Sequence, residues 1–198
     1  MQSDDPTLPV QGEDFRDGMP FLAGSLWLDL LNTTPSFPTG PVDFLAAAGT
    51  TKAWLMAAGL PGQGDEATAA ALRELRAVLR TAHAALNDGQ PLPASVLGVI
   101  NQALAGQRRH LVLRQTGDGP QLSETIEAAT DAPAARIAED FARFLTEYEG
   151  ARLKCCDNPT CNLVFYDRGK SRRRRWCSMA ACGNRDKVAR FRKRHSTD

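Results

Sequence analysis

Cysteine is absent from the first 154 residues, and histidine occurs only three times in 198. Any thiol chemistry is therefore confined to the last quarter of the chain. No apolar run approaches the length of a membrane-spanning helix, so no membrane partner is expected. Met1–Asp14 carries four acids and no base, which is unlike a secretory or organellar signal. A cytoplasmic protein is expected. The chain also lacks a Gly-rich phosphate loop, a nucleophile elbow and paired histidines. Gly62-Gln63-Gly64 has neither a preceding strand nor a third glycine. With no acid–base pair or nucleophile–base set in view, an enzyme with a site around Asp29 is the weakest reading, and no catalytic residue is assigned.

What is present reads as an ordinary folded body with an unusual tail. Hydrophobic residues make up 42% and charged residues 24%, enough for a real core. The net charge of +1 conceals an asymmetry. Residues 151–198 hold 14 Lys and Arg against 4 Asp and Glu, a balance of +10; the other 150 residues hold 10 against 19, a balance of −9. A mildly acidic body with a strongly basic tail points to a polyanionic partner for the tail.

Along the body, residues 1–18 read as a disordered lead-in and residues 19–150 as a mainly helical domain. Leu26, Leu28, Leu30 and Leu31 surround Asp29 in a short buried segment. Asp29 there needs a partner: it either caps a neighbouring helix or serves as a polar group that senses a ligand. Val42–Ala48 and Thr51–Gly59 read as two short helices with N-caps near Asp43 and Thr50. Glu66–Asn87 is the clearest helix, with Leu72, Leu75, Leu79, Ala82 and Leu86 at helical spacing. Ala94–Ala105 is the next helix. His110–Arg114 and Gln121–Thr125 flank a turn and predict one small β-hairpin. Asp131 and Pro133 signal a helix start, and the helix is expected to run to about Gly150 with Ile137, Phe141, Phe144, Leu145 and Tyr148 facing the core.

The tail, residues 151–198, contains all five cysteines: Cys155, Cys156, Cys161, Cys177 and Cys182. An odd number argues against a disulfide framework. The pattern Cys156-x4-Cys161-x15-Cys177-x4-Cys182 offers two close pairs to one tetrahedral ion. Zinc suits four thiolates, although a four-thiolate iron site has the same appearance in sequence. Cys155-x5-Cys161 is an alternative first pair, but side chains alternate on a strand, so Cys155 and Cys156 cannot both face the metal. Leu163–Tyr166 is expected to pair with Arg152–Cys155, Trp176 to roof the site, and a helix to run from Gly183 with Val188 and Phe191 on one face. This is the layout of a treble-clef zinc finger. Because zinc binding supplies the folding energy of such modules, loss of Cys177 is expected to unfold the tail and spare most of the helical signal.

The stretch Arg152–Arg194 closely resembles the bacterial CGNR zinc-finger family. The residues that carry the resemblance are Cys156, Asn158-Pro159, Cys161, Phe165-Tyr166-Asp167, Arg174-Arg175-Trp176-Cys177-Ser178-Met179, Cys182-Gly183-Asn184-Arg185 and Lys187-Val188. Gly169 departs from the Ser found at that place in many members. The resemblance implies one structural Zn2+ on Cys156, Cys161, Cys177 and Cys182, leaving Cys155 out. Upstream, Gly24-Ser25-Leu26, Leu28-Asp29, Asn32-Thr33 and Trp54-Leu55 before Gly59-Leu60 resemble the ABATE domain that such fingers follow. The two resemblances together imply a stress-responsive transcription regulator.

Arg172, Arg173, Arg174 and Arg175 fill the loop between the cysteine pairs. Arg185, Lys187, Arg190, Arg192, Lys193 and Arg194 populate the final helix. Arginine suits bidentate phosphate contacts, so these ten residues are the expected nucleic-acid contacts and DNA the expected partner. Four thiolates on zinc carry −2, which neutralises only part of the +10. Asn184 is expected to bond a thiolate or cap the helix in preference to reading bases. A protein- or RNA-interaction module is the alternative function. A small-molecule effector or a homodimer would engage the helical body.

Overall fold

The computed structural model describes residues 14–37, 40–105, 107–128 and 133–195. The fold is mainly helical, as expected, with four two-stranded antiparallel pairs among the described residues, one of them Ser36–Phe37 (β3) with Gly40–Pro41 (β4). Its centre is the short helix α1, Leu26–Leu31, in which Trp27, Leu28, Leu30 and Leu31 are buried. A six-residue helix cannot persist alone; this one is held by its surroundings. Helix α3 (Glu66–Asn87) lays its leucine stripe against it, with Leu72, Leu75, Leu79 and Leu86 buried. Helix α4 (Ala94–Ala105) buries Val96 and Ile100. Helix α5 (Pro133–Glu147) contributes Ile137, Ala138 and Phe141. Phe141 and Phe144 meet Trp27 edge-on, with ring centroids 5.0 and 5.1 Å away.

The predicted bounds of α3 and α4 agree with the structure. The hairpin is longer than expected, pairing Gln107–Thr116 (β5) with Gly119–Ala128 (β6). The start of α5 agrees at Pro133, whereas Asp131 lies outside the described residues. The helix ends at Glu147, before the expected Gly150.

Two expectations need correction. Asp14–Gly18 belongs to the folded body, not to a lead-in: Phe15–Arg16 (β1) pairs with Met19–Pro20 (β2) around Asp17-Gly18, and Phe15 and Met19 are buried. Residues 1–13 lie outside the described residues. The helix expected over Val42–Ala48 is instead a turn. The Asp43 carboxylate accepts the Leu45 N–H at 2.9 Å and receives both arms of the Arg76 guanidinium at 2.7 Å. That bond to its own backbone competes with a helix, and Leu45 drops into the core. Only the second helix forms, α2 (Ala48–Ala58), ended by Gly59 at φ 67°. Thr50 is not its cap; the N-cap is Ala47, whose carbonyl accepts both the Thr50 and Thr51 hydroxyls.

Two sets of buried polar groups in this core are paired, while the buried Trp27 indole N–H has no partner among the described residues. Arg76, 6% exposed, bonds Asp43 and the Thr33 hydroxyl, and its hydrogen bonds hold the Asp43 carboxyl below the usual carboxylate range. Around α1 the partners are acids. Asp140 of α5 accepts the Trp27 N–H at 2.9 Å and the Ser25 hydroxyl at 2.7 Å, so a residue from another helix caps α1. Asp29 caps no helix of another element. It accepts the Ala23 N–H at 3.1 Å, in the segment leading into its own helix.

Burial pushes the Asp29 carboxyl up to about 7, against the opposing pull of the Ala23 N–H. The folded state thus binds this proton more tightly than the unfolded chain does. The stabilisation is complete below the unfolded value near 3.8 and is lost as pH rises through about 7. Asp29→Asn keeps an acceptor for Ala23 and removes the ionisation. The variant is expected to exceed the parent in stability at pH 8 by on the order of 2 kcal/mol, with a smaller gap at pH 5.5. Urea denaturation at both pH values checks this; equal gaps would show that Asp29 ionises without penalty.

Candidate metal centre

The tail begins with a single 3₁₀ turn, Gly150–Arg152, and the expected hairpin follows. Leu153–Cys155 (β7) pairs with Val164–Tyr166 (β8), and Cys156 N–H extends the ladder to the Leu163 carbonyl. Alternation settles the first pair: Cys155 faces solvent and Cys156 is buried. Between the strands, Asn158 closes a knuckle by accepting the Cys161 N–H on its carbonyl and the Thr160 N–H on its side chain. The second knuckle is a π-turn, Met179–Gly183, opened by Ser178, whose hydroxyl accepts the Ala181 N–H. Helix α6, Asn184–His195, continues directly from it.

These turns bring Cys156, Cys161, Cys177 and Cys182 together, with all four sulfurs within 4.8 Å of one another. The Cys161–Cys177 and Cys177–Cys182 sulfurs are 3.7 and 3.6 Å apart. A tetrahedral zinc with Zn–S bonds of about 2.3 Å requires edges of about 3.8 Å, so the cage fits that ion. A disulfide, at about 2.05 Å, does not fit. Two N–H donors reach the sulfurs: Cys177 N to Cys156 Sγ at 3.4 Å, and Arg185 Nη2 to Cys182 Sγ at 3.3 Å. Such donors stabilise thiolate ligands. Bonds from the other thiols and from Cys177 N–H drive the Cys156 thiol far down, while the same crowding drives Cys177 up. Cys182 is also driven down and Cys161 up, so the four thiols cannot all be thiolates there without a cation.

Residues 24–148 match the family model of the ABATE domain, described as "Putative stress-induced transcription regulator", and residues 152–195 match that of the CGNR zinc finger. The chain belongs to the ABATE family. No curated protein matches it closely enough to supply a more specific identity. The zinc centre of this ABATE chain is structural, because four protein ligands leave no open coordination position.

The ABATE body and the finger share one hydrophobic core, which includes Leu163, Val164 and Phe165 along with Trp27 and Leu28. The joint is made largely of side-chain bonds to backbone groups. Asn32 donates from Nδ2 to the Val164 carbonyl and accepts the Val164 N–H on Oδ1, both at 2.9 Å. Tyr166 N–H donates to the Ala23 carbonyl at 3.1 Å. Arg168 crosses over Gly24, whose φ of +78° disfavours a side chain and where an added Cβ would sit a tight 3.2 Å from the Arg168 Nε. In the sequence Asn32 stands out as a motif residue and nothing more; the signal for its role at the joint is a polar pair, Asn32-Thr33, closing a run of buried leucines.

The ten expected contact residues separate into three groups. Arg174 is an internal lock. Its Nε donates to the Trp176 carbonyl at 3.1 Å and its Nη2 to the carbonyls of Leu22 and Cys177, while its guanidinium lies 4.3 Å from the Phe165 ring. Arg185 serves the Cys182 sulfur, and Asn184, expected to bond a thiolate or cap the helix, donates to the Ala180 carbonyl. The rest face solvent or lie in exposed ion pairs. Arg173, Lys187, Arg192, Lys193 and Arg194 are exposed. Arg172 pairs with Glu149, Arg175 with Asp157 and Arg190 with Asp186. Helix α6 buries none of its residues; Val188 and Phe191, expected as a packing face, are 48% and 55% exposed. Trp176 is half-buried under the Arg175 guanidinium, 4.9 Å from its ring.

One residue organises the arginine loop. Asp167, 1% exposed, accepts from Lys154 Nζ at 2.8 Å and from the N–H groups of Arg174 and Gly169. Lys154 in turn donates to the carbonyls of Arg172 and Arg174. This holds Arg172 at φ +53°, a conformation unfavourable for a side-chain-bearing residue. Burial raises the Asp167 pKa, but the Lys154 and N–H bonds outweigh it and the net shift is downward. Its stabilisation is therefore present above the usual carboxylate range and lost on acidification through the lowered value.

The shared core revises the expected effect of zinc removal. Cys177→Ser, or chelation, is expected to abolish zinc binding and also to lower the melting temperature of the helical signal, because body and finger bury one core. Metal analysis and thermal circular dichroism measure both; an unchanged helical melt would show that the body is independent. Asp167→Asn is expected to cost on the order of 3 kcal/mol, as for one partner of a buried ion pair. The denaturation midpoint of the zinc-loaded chain measures it, and a cost below about 1 kcal/mol would mean that the loop does not depend on Asp167.

Proposed function

We propose that this ABATE chain is a stress-responsive transcription regulator that binds DNA through its finger. The observation that carries this reading is how the cations are distributed. The finger uses Arg174, Arg185 and Lys154 for its own architecture, and Arg172, Arg173, Arg175, Lys187 and Arg194 remain at the surface. A groove of about 450 Å³ between the arginine loop and the π-turn is lined by Arg173, Arg175, Trp176 and Met179. Helix α6 follows the π-turn and has no buried face and a basic last turn. A rigid cationic loop beside a projecting basic helix is suited to gripping a phosphate backbone while the helix enters a groove. Arg172, Arg173 and Arg175 would supply phosphate contacts, and α6 the groove contacts.

The exposed Val188, Phe191 and Met179 favour a second reading. Apolar side chains on a basic surface also suit a protein or single-stranded RNA partner. Neither reading assigns catalysis to the chain.

Binding of the zinc-loaded full chain to random duplex DNA across salt concentrations tests the first reading. The triple variant Arg172→Ala, Arg173→Ala, Arg175→Ala is expected to bind more weakly and to flatten the salt dependence by about 0.9 for each phosphate it no longer neutralises. Arg174→Ala is expected instead to lower zinc affinity and stability, since that side chain ties Cys177 to the body. Unchanged affinity and slope in the triple variant would rule out the loop as the DNA-binding element.

A further inference from the structure

A second concavity adjoins the arginine groove at Arg168, which lines both. It is a cleft of about 400 Å³ where the helical body meets β8 of the finger, within the size range of small-ligand sites. One wall is a single face of α5, with Asp140, Arg143, Phe144 and Glu147 at spacings i, i+3, i+4 and i+7. The other wall is Tyr166 of β8 and Arg168 just beyond it. The floor is aromatic: Phe144 meets Tyr166 edge-on at 5.0 Å and Tyr148 at 5.6 Å.

The charges around the cleft are of both signs and not equally committed. Asp140 already accepts two bonds at the start of α1. Arg143 leans on Glu139 at 2.9 Å. Arg168 donates through Nη2 to the Gly24 carbonyl at 2.5 Å, which leaves the rest of its fork free. Glu147 is exposed and forms no ion pair among the described residues. A polyanion entering here would meet Asp140 and Glu147, and a simple amine would meet Arg143 and Arg168. A purely apolar guest would desolvate both charges without replacing their bonds.

We propose that this cleft binds a small zwitterion carrying an aromatic ring, the simplest members of the class being aromatic α-amino acids. The carboxylate pairs with Arg168, the ammonium pairs with Glu147, and the ring lies on Phe144 and Tyr166. The site regulates the joint, since Tyr166 and Arg168 also make the bonds to Ala23 and Gly24 that seat the finger. An occupant touching both walls favours the seated state. This inference does not depend on what the finger binds.

Calorimetric titration of the zinc-loaded full chain tests it, using L-phenylalanine, 3-phenylpropionate and phenethylamine. Saturable binding of L-phenylalanine is expected, with each single-charge analogue about ten-fold weaker or more. Glu147→Gln is expected to weaken L-phenylalanine about ten-fold while leaving 3-phenylpropionate unchanged, a crossover that misfolding would not produce. Amide exchange at Tyr166 is expected to slow when L-phenylalanine is bound. Equal affinity for the three probes, no binding of any at millimolar concentration, or an equal loss for both acids in the variant would overturn the proposal.

Discussion

A buried side-chain amide seats the finger on the body. Asn32, 2% exposed, presents a donor and an acceptor to the backbone of Val164, as a neighbouring strand would. Strand β8 has one true partner, β7, so its other edge would leave backbone groups unpaired inside the core. Asn32 and the Ala23 carbonyl satisfy that edge without a third strand. The arrangement requires Asn32 to sit at the end of α1, and α1 exists only because α3 and α5 enclose it. The acids near α1 follow from the same constraint: a short buried helix still has N–H groups to satisfy, and Asp140 reaches across from α5 to satisfy one of them.

Seating β8 this way couples the zinc centre to the helical core. Phe165 is fully buried and carries the Arg174 guanidinium on its face. Arg174 then reaches both the Cys177 carbonyl beside the metal and the Leu22 carbonyl of the body. One arginine of a run of four is thus withdrawn from any surface role, while its three neighbours are exposed. Asp167 and Lys154 supply the counter-scaffold beneath. The finger is an extension of the body's core as well as a metal-nucleated unit.

The parts legible in the sequence were those specified by spacing. The leucines of Glu66–Asn87 repeat at helical intervals over twenty-two residues, long enough for the pattern to mark both ends. The cysteine pairs carried their geometry in their intervals. Short-range competition was harder to read. Asp43 looked like a helix cap because caps and turns use the same side-chain bond, and only the distant Arg76 decides between them. Asp17-Gly18 is a good hairpin turn, but its flanking strands are two residues long and too short to show alternation. The roles of Arg172 to Arg175 could not be separated, since four identical side chains differ only in what lies opposite each.

The opposite charges of body and tail invite the idea that the acidic body screens the basic finger. The contacts at the joint argue otherwise. The finger is seated by Asn32, by the Ala23, Gly24 and Leu22 carbonyls and by apolar packing, and none of these contacts is an ion pair with an acid of the body. Arg175 and Arg190 pair with Asp157 and Asp186 of the finger itself, and Arg172 with Glu149 at the junction. The body's negative balance therefore remains as a field and is not spent on the finger's cations. A polyanion approaching such a molecule is repelled by one end and drawn to the other, so the asymmetry orients its approach toward the loop and α6 before any contact forms.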